Sequence, residues 1–457
     1  MAGFKDNLSK YSVYIAVFLA AIFIITAKNW EKEDRVIGAD IISYYAYLPA
    51  TLIFQDIKLE KHETMKNGIF WPETLPSGAR VIKTSMGLSF LYAPFFLGAH
   101  AWSKLFGLDA FGYSPVYKIG LLISALFYFF IGLFFLRKIL KLYFSENITA
   151  ITIIAVAVGT NLMYYATREA TMSHVYNFAL YNIFIWLTIQ WHKKQNLAGL
   201  LVLGALAGLI SLVRPSNIII LAFFFLYNVY SLKSFLAKLR FVFTKFHWFV
   251  LMGLAFTAIW IPQMLYWKVL TGDFLFNSYT TERFFFNNPH FIGGLFSYRK
   301  GWFIYTPIMV MAILGFVFLF KKMKEFSWAI PLFTLLNMYI IFSWWCWWYG
   351  GSYGMRALID SYGMLAIPMA LLFSEVLKYR KYLYKIAVGI VIVLIAQNLF
   401  FMRKYKRGSI HWDSMTKEAF WFSYWRISPH SEYWELLEKP DYDRARQGLD
   451  AIIEEEN

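Results

Sequence analysis

Eleven continuous apolar blocks separated by short polar hinges constrain this chain more than any other feature. Each is close to the roughly 20 residues that cross about 30 Å of hydrocarbon as a helix. They fall at 11–27, 118–136, 148–165, 176–191, 197–213, 217–231, 248–267, 303–320, 327–345, 357–375 and 385–402. Continuous runs are the opposite of the alternating, roughly 10-residue signature of a membrane β-barrel. The sequence therefore predicts an all-α polytopic membrane protein, a bundle of about 11 transmembrane helices. Composition agrees, with 59% hydrophobic and only 16% charged residues, a balance that uses lipid as solvent.

Lys and Arg set the threading. The hinges Arg137–Asn147, His192–Asn196, Ser231–His247, Lys321–Glu325 and Lys378–Lys385, with Lys5 and Lys10, hold 18 of the 44 basic residues. Cytoplasmic connections carry that excess, so the N-terminus and these hinges are expected inside. The net charge of +16 is read as topology rather than as nucleic-acid binding. Leu88–Phe106 is apolar enough to span, but counting it would invert every later hinge, so it is expected to lie in the interface. The bundle occupies 1–402, with a first outer loop at about 28–117 that holds interfacial helices. Residues 403–457 form a polar, aromatic tail that reads as a small outer cap, although Arg403, Lys404, Lys406 and Arg407 are unexpected on that side. The acidic end, Glu454 to Glu456, is expected to fray. The first block lacks a following cleavage site and reads as an uncleaved helix. Cys346, the single cysteine, supplies neither an intrachain disulfide nor a metal cluster.

The candidate chemistry sits at the outer ends. Asp40, in GADIISYYAYLPA, stands at the membrane surface before an apolar run; it is either a functional carboxylate or a helix N-cap. Tyr44 and Tyr45 follow it. Lys83, in RVIKTSMGLSF, is placed to meet a lipid phosphate or to anchor a helix end. The second outer turn, YYATREATMSHVYNF, packs Arg168, Glu169 and His174 between two spans, as a site or as a structural ion pair. A partnership of Glu169 with His174 would need a break in the helix. Arg214, Arg299, Lys300 and Arg356 lie at other outer helix ends, and arginine suits bidentate phosphate contact. Arg356 is the best placed of these, flanked by Gly350, Gly351 and Gly354 and by Asp360.

The arrangement resembles the C-type (GT-C) glycosyltransferases, in particular the bacterial lipid A aminoarabinose transferases and protein O-mannosyltransferases. These enzymes move a sugar from a polyprenyl-phosphate carrier to an acceptor outside the membrane. Asp40 in GADIISYY matches the family's first-loop aspartate, and IKTSMGLSFLYAPFFLGAHAW its interfacial segment. GGSYGMRALID is similar to the Gly-aromatic-Gly-x-Arg segment before a late span. In the second loop Arg168 fits, while His174 stands where a carboxylate is expected. The resemblance implies a general base at Asp40, donor-phosphate contacts from Lys83, Arg168, Arg356 and Arg299, and an acceptor or second-loop site around Glu169, His174, Tyr44 and Tyr45. It implies a polyprenyl-phosphate sugar as donor, membrane lipids as surroundings, and a glycan, lipid or protein as acceptor. A divalent cation is the one cofactor it leaves open, and the residues offer no metal site. The expected place is the inner membrane, with the site facing the periplasm. Two other readings stand beside this one: a polymerase or ligase of lipid-linked glycans built on the 271–305 loop, and a transporter or flippase.

Overall fold

The computed structural model describes residues 7–60 and 72–450. Part of the first outer loop and the acidic Glu454–Glu456 end lie outside the described residues. Helices form on every apolar block. The principal ones are α1 (Leu8–Ala27), the short α2 (Asp40–Tyr45) and α3 (Tyr47–Leu52), α4 (Gly87–Leu105), α5 (Pro115–Leu140), α6 (Glu146–Val158), α7 (Ser173–Lys193) and α8 (Leu197–Val213). After these come α9 (Phe246–Thr271), α10 (Val310–Lys322), α11 (Ala329–Phe342), α12 (Tyr362–Tyr379) and α13 (Lys381–Arg407). A two-residue antiparallel ladder, Glu73–Thr74 with Arg80–Val81, ties the first outer loop to itself.

Among the described residues six helices, rather than about eleven, are long and apolar enough to cross a membrane. They are built on α1, α5, α9, α11, α12 and α13. Three further apolar helices, Glu146–Val158, Leu197–Val213 and Pro215–Leu226, are shorter. One of the remaining blocks is a broken helix. The block at 148–165 stops at Val158, turns through Gly159 to Asn161, and resumes as Leu162–Tyr165. Carbonyls freed by such a break are costly in an apolar interior. Asn398 of α13 supplies the missing donor, its Nδ2 giving hydrogen bonds to Val158 O (2.7 Å) and Thr160 O (2.8 Å).

Packing sorts the helices into a protected centre and an apolar rim. α12 is buried almost continuously from Tyr362 to Leu371, as a helix apolar all round should be. α10 lies so close to it that a side chain at Gly315 would meet the Pro368 carbonyl. α9 instead exposes Val250, Leu254, Ile261, Leu265 and Val269, a surface that water would not tolerate but lipid would.

Two ends follow from the contacts. At one, Glu146 pairs with Lys141 (2.6 Å) and accepts from the Ser9 N–H, Lys238 reaches His192 (2.6 Å), Asn228 bonds Glu325, and Glu375 pairs with Lys378 and Lys322. All five basic hinges share this end. The opposite end carries the first outer loop, the second outer turn, the 271–305 loop and the tail. There Thr171 Oγ1 donates to Val36 O (2.7 Å), and buried Lys118 donates to Lys32 O and Glu33 O. Lys404 donates to the carbonyls of Ser423 and Tyr424, which folds the tail back over this end.

Candidate active site

Asp40 opens the short helix α2 without capping it. The N-cap position belongs to Ala39, which makes no side-chain cap, and its backbone is left-handed (φ 47°). The Asp40 carboxylate points to Arg356, whose Nη2 donates to Oδ2 at 3.1 Å. The Asp40 side chain is 56% exposed and that of Arg356 13%. The pair thus sets an accessible carboxylate against a sheltered guanidinium, at the junction of the first outer loop with the turn that begins the α12 segment.

Beneath it lies a second, fully buried set. Asp360, with 3% of its side chain exposed, accepts from Asn217 Nδ2 (2.7 Å) and Asn177 Nδ2 (3.2 Å), and its Oδ1 meets His174 Nδ1 at 3.0 Å. Arg214 Nη1 approaches Asp360 Oδ2 at 3.5 Å and stacks its guanidinium over the Tyr349 ring. A carboxylate this deep is retained only with opposite charge and hydrogen bonds around it, and four such contacts converge here. Tyr44 lies within the fields of Arg214, Asp40 and Arg356, so both layers form one cluster.

Glu169 and His174 do not pair. Glu169 accepts from Tyr164 OH (3.2 Å), while His174 turns to Asp360 and packs edge-on against Tyr165. Burial raises the Glu169 carboxyl above its ordinary value, an effect that Arg356 partly offsets. Lys83 is held by Glu282 at 2.7 Å and lies over the Tyr279 ring. Close by, an apolar cavity of about 390 Å³ runs between α3, the start of α4 and α9, lined by Tyr47, Met86, Phe90, Pro262, Leu265 and Tyr266 among others.

Three residues expected at the site stand elsewhere. Arg299 is buried and donates to Asp413 O (2.8 Å) and Glu438 O (3.1 Å), so its guanidinium holds the tail rather than facing a cleft. Tyr45 turns its hydroxyl to Gly112 O within an aromatic packing of Tyr92, Phe96 and Tyr113. Arg168 lines a different cavity, with Arg403, Lys406 and Arg407. Glu282, Asn177 and Asn217 were not foreseen. The two asparagines had a signal, since each lies three residues after a polar residue already singled out, His174 and Arg214. Among the described residues no three His, Cys, Asp or Glu side chains gather as a cation would require. Asp40 faces Arg356.

Similar architectures exist among solved proteins. The oligosaccharyltransferase of Archaeoglobus fulgidus in its apo form superposes with a TM-score of 0.54 at 12% identity, covering 96% of this chain and 61% of that one. The chain shares its overall fold with that oligosaccharyltransferase. A second structure, the oligosaccharyltransferase AglB of the same archaeon in complex with an inhibitory peptide and a dolichol-phosphate, gives 0.50 at 12% identity over 96% of this chain. The chain spans about 60% of the length of these GT-C neighbours. No protein-family model and no curated protein matches the sequence.

Proposed function

We propose that this protein is a membrane glycosyltransferase that takes a sugar from a polyprenyl-phosphate carrier and delivers it to an acceptor at the end of the bundle holding Asp40. The observation that carries the proposal is the Asp40–Arg356 pair: an exposed carboxylate able to take a proton, 3.1 Å from a sheltered cation able to hold a phosphate. The apolar cavity beside α9 offers a path for an isoprenoid chain, and Lys83 lies three residues before Met86 of its wall. The complex of AglB with a peptide and a dolichol-phosphate supports a lipid-linked donor and a protein acceptor. The excess of basic residues in the hinges at the opposite end supports the reading that this end lies in the cytoplasm and the site outside the inner membrane. In this reading the shorter helices add further crossings, with their irregular backbone sheltered inside protein.

In the reaction, the acceptor's hydroxyl or amide attacks the anomeric carbon. Its proton passes to Asp40, and the bond from that carbon to the lipid phosphate oxygen breaks, leaving the electron pair on the phosphate. Displacement from the opposite face inverts the anomeric centre. Arg356 and Lys83 hold the growing phosphate charge where water is scarce and such contacts count for more. Lys83 must exchange Glu282 for phosphate as the donor enters. The Asp360 cluster fixes Arg214 and the start of the α12 segment, and through it the position of Arg356. The competing ligase reading rests on the 271–305 loop with Arg283 and Arg299; tail carbonyls occupy Arg299, while Arg283 lies over the Phe285 ring.

Membranes holding the protein are incubated with a panel of radiolabelled dolichyl- and undecaprenyl-phosphate sugars, or with nucleotide sugars. Label is expected to pass from one lipid-linked donor, and Arg356→Ala is expected to abolish the transfer. Incorporation from a nucleotide sugar in membranes depleted of lipid carrier would overturn the proposal.

A further inference from the structure

A second cavity, of about 370 Å³, opens where α1 and α13 come together at the same end of the bundle. Phe23 of α1 and Leu399 and Met402 of α13 form its apolar wall, and Arg168, Arg403, Lys406 and Arg407 form its rim. Among the described residues none of these four cations makes a salt bridge, although the protein pairs many others. Lys406 lies in the fields of Arg168, Lys32, Arg407 and Arg403 together. Like charges gathered without a counter-charge are unfavourable by themselves. Three of them close the last turns of α13, where the helix dipole favours cations. That explanation does not reach Arg168, which comes from the second outer turn.

Position sharpens the point. The topogenic basic hinges all lie at the opposite end, so these charges work against the asymmetry that threads the rest of the chain. A ligand with a multiply charged anionic head and a hydrocarbon tail would satisfy both surfaces, its head on the arginines and its chain along Phe23, Leu399 and Met402. We infer that the α1–α13 cavity is a binding site for the phosphate headgroup of an anionic membrane lipid, separate from the Asp40 cluster. Arg168 adjoins Glu169, which accepts from Tyr164 and lies in the field of Arg356. Occupancy therefore abuts the candidate active site through a single peptide link. This inference stands without the proposed transfer reaction.

The test reads binding, not transfer. The purified full chain in phosphatidylcholine nanodiscs is titrated with spin-labelled phosphatidic acid. Replacement of Arg168 by Ala, or of Lys406 by Glu at its exposed position, is expected to weaken binding at least about tenfold, as loss of a charged hydrogen bond would. Asp40→Asn should bind as wild type does, and affinity should fall with added salt. Inorganic phosphate should compete only weakly, since it lacks the tail. Equal affinity in wild type, Arg168→Ala and Lys406→Glu, with unchanged thermal unfolding, would overturn the site. Full displacement by inorganic phosphate at lipid concentrations would show a soluble-anion site and overturn the lipid assignment.

Discussion

At the scale of single residues, the outer end separates groups that work by exposure from groups that work by burial. Asp40 is available, whereas Asp360 is enclosed by two asparagines, a histidine and an arginine. Glu169 lies between these extremes and makes a pH-dependent prediction. Its carboxyl titrates near 4.5 in the unfolded chain and higher in the folded one. Below about 4.5 both states carry the proton, and Glu and Gln are equivalent. As pH rises from the unfolded value to the folded one, the native state keeps a proton that the unfolded chain has released, and above the folded value it bears a buried charge. Glu169→Gln is therefore expected to unfold like wild type at low pH and at a higher temperature than wild type near neutrality. A difference independent of pH in thermal unfolding would contradict the assignment. The sequence alone marked Asp40, His174, Glu169 and Arg356, because ionisable groups beside apolar blocks stand out. It ranked Arg356 first among the arginines but could not set Arg299 aside, since an arginine at a helix end looks the same whether it faces a ligand or, like Arg299, a carbonyl.

At the scale of elements, most of the helices were legible because hydrophobic runs of spanning length have few other uses. Breaks were not. The block at 148–165 looks continuous, and its interruption at Gly159 becomes visible only when Asn398, some 240 residues away, is seen satisfying the freed carbonyls. Replacing Asn398 by Ala leaves both carbonyls buried without this donor, and the cost is expected to be about 1–3 kcal/mol per unsatisfied group. Chemical denaturation in detergent would measure it; Asn398→Ala with unchanged stability would mean that the break is satisfied in another way. α4 teaches a related lesson. It packs on α5 and brings Gly87 against the backbone of Leu212 and Val213, so the helix read as interfacial is also a wall of the bundle.

At the scale of the whole molecule, the tail resolves a conflict in the charge pattern. Arg403, Lys404, Lys406 and Arg407 lie at the same end as Asp40, with Lys404 bonded to the tail's own carbonyls. The tail is clamped by Arg299 and Lys300, the latter donating to Ser352 O and Trp412 O (2.6 Å). Burial, opposed in part by Asp413, pulls the Lys300 ammonium down to about 7. Arg299→Ala should loosen the tail without disordering the bundle, so proteolysis is expected to remove residues after Arg407 faster than in wild type. An unchanged cleavage rate would show that the clamp is redundant. Charge counting could not see this, because it weighs each cation by its place in the chain and not by the carbonyls it meets in space.

The central claim is that Asp40 takes the acceptor's proton at a site where Arg356 receives the lipid phosphate. Its most direct test compares wild type with Asp40→Asn in sugar transfer from the lipid-linked donor, with donor binding measured on the same membranes. Transfer is expected to fall by about 10²- to 10⁴-fold with donor binding retained. Transfer by Asp40→Asn at the wild-type rate would contradict it.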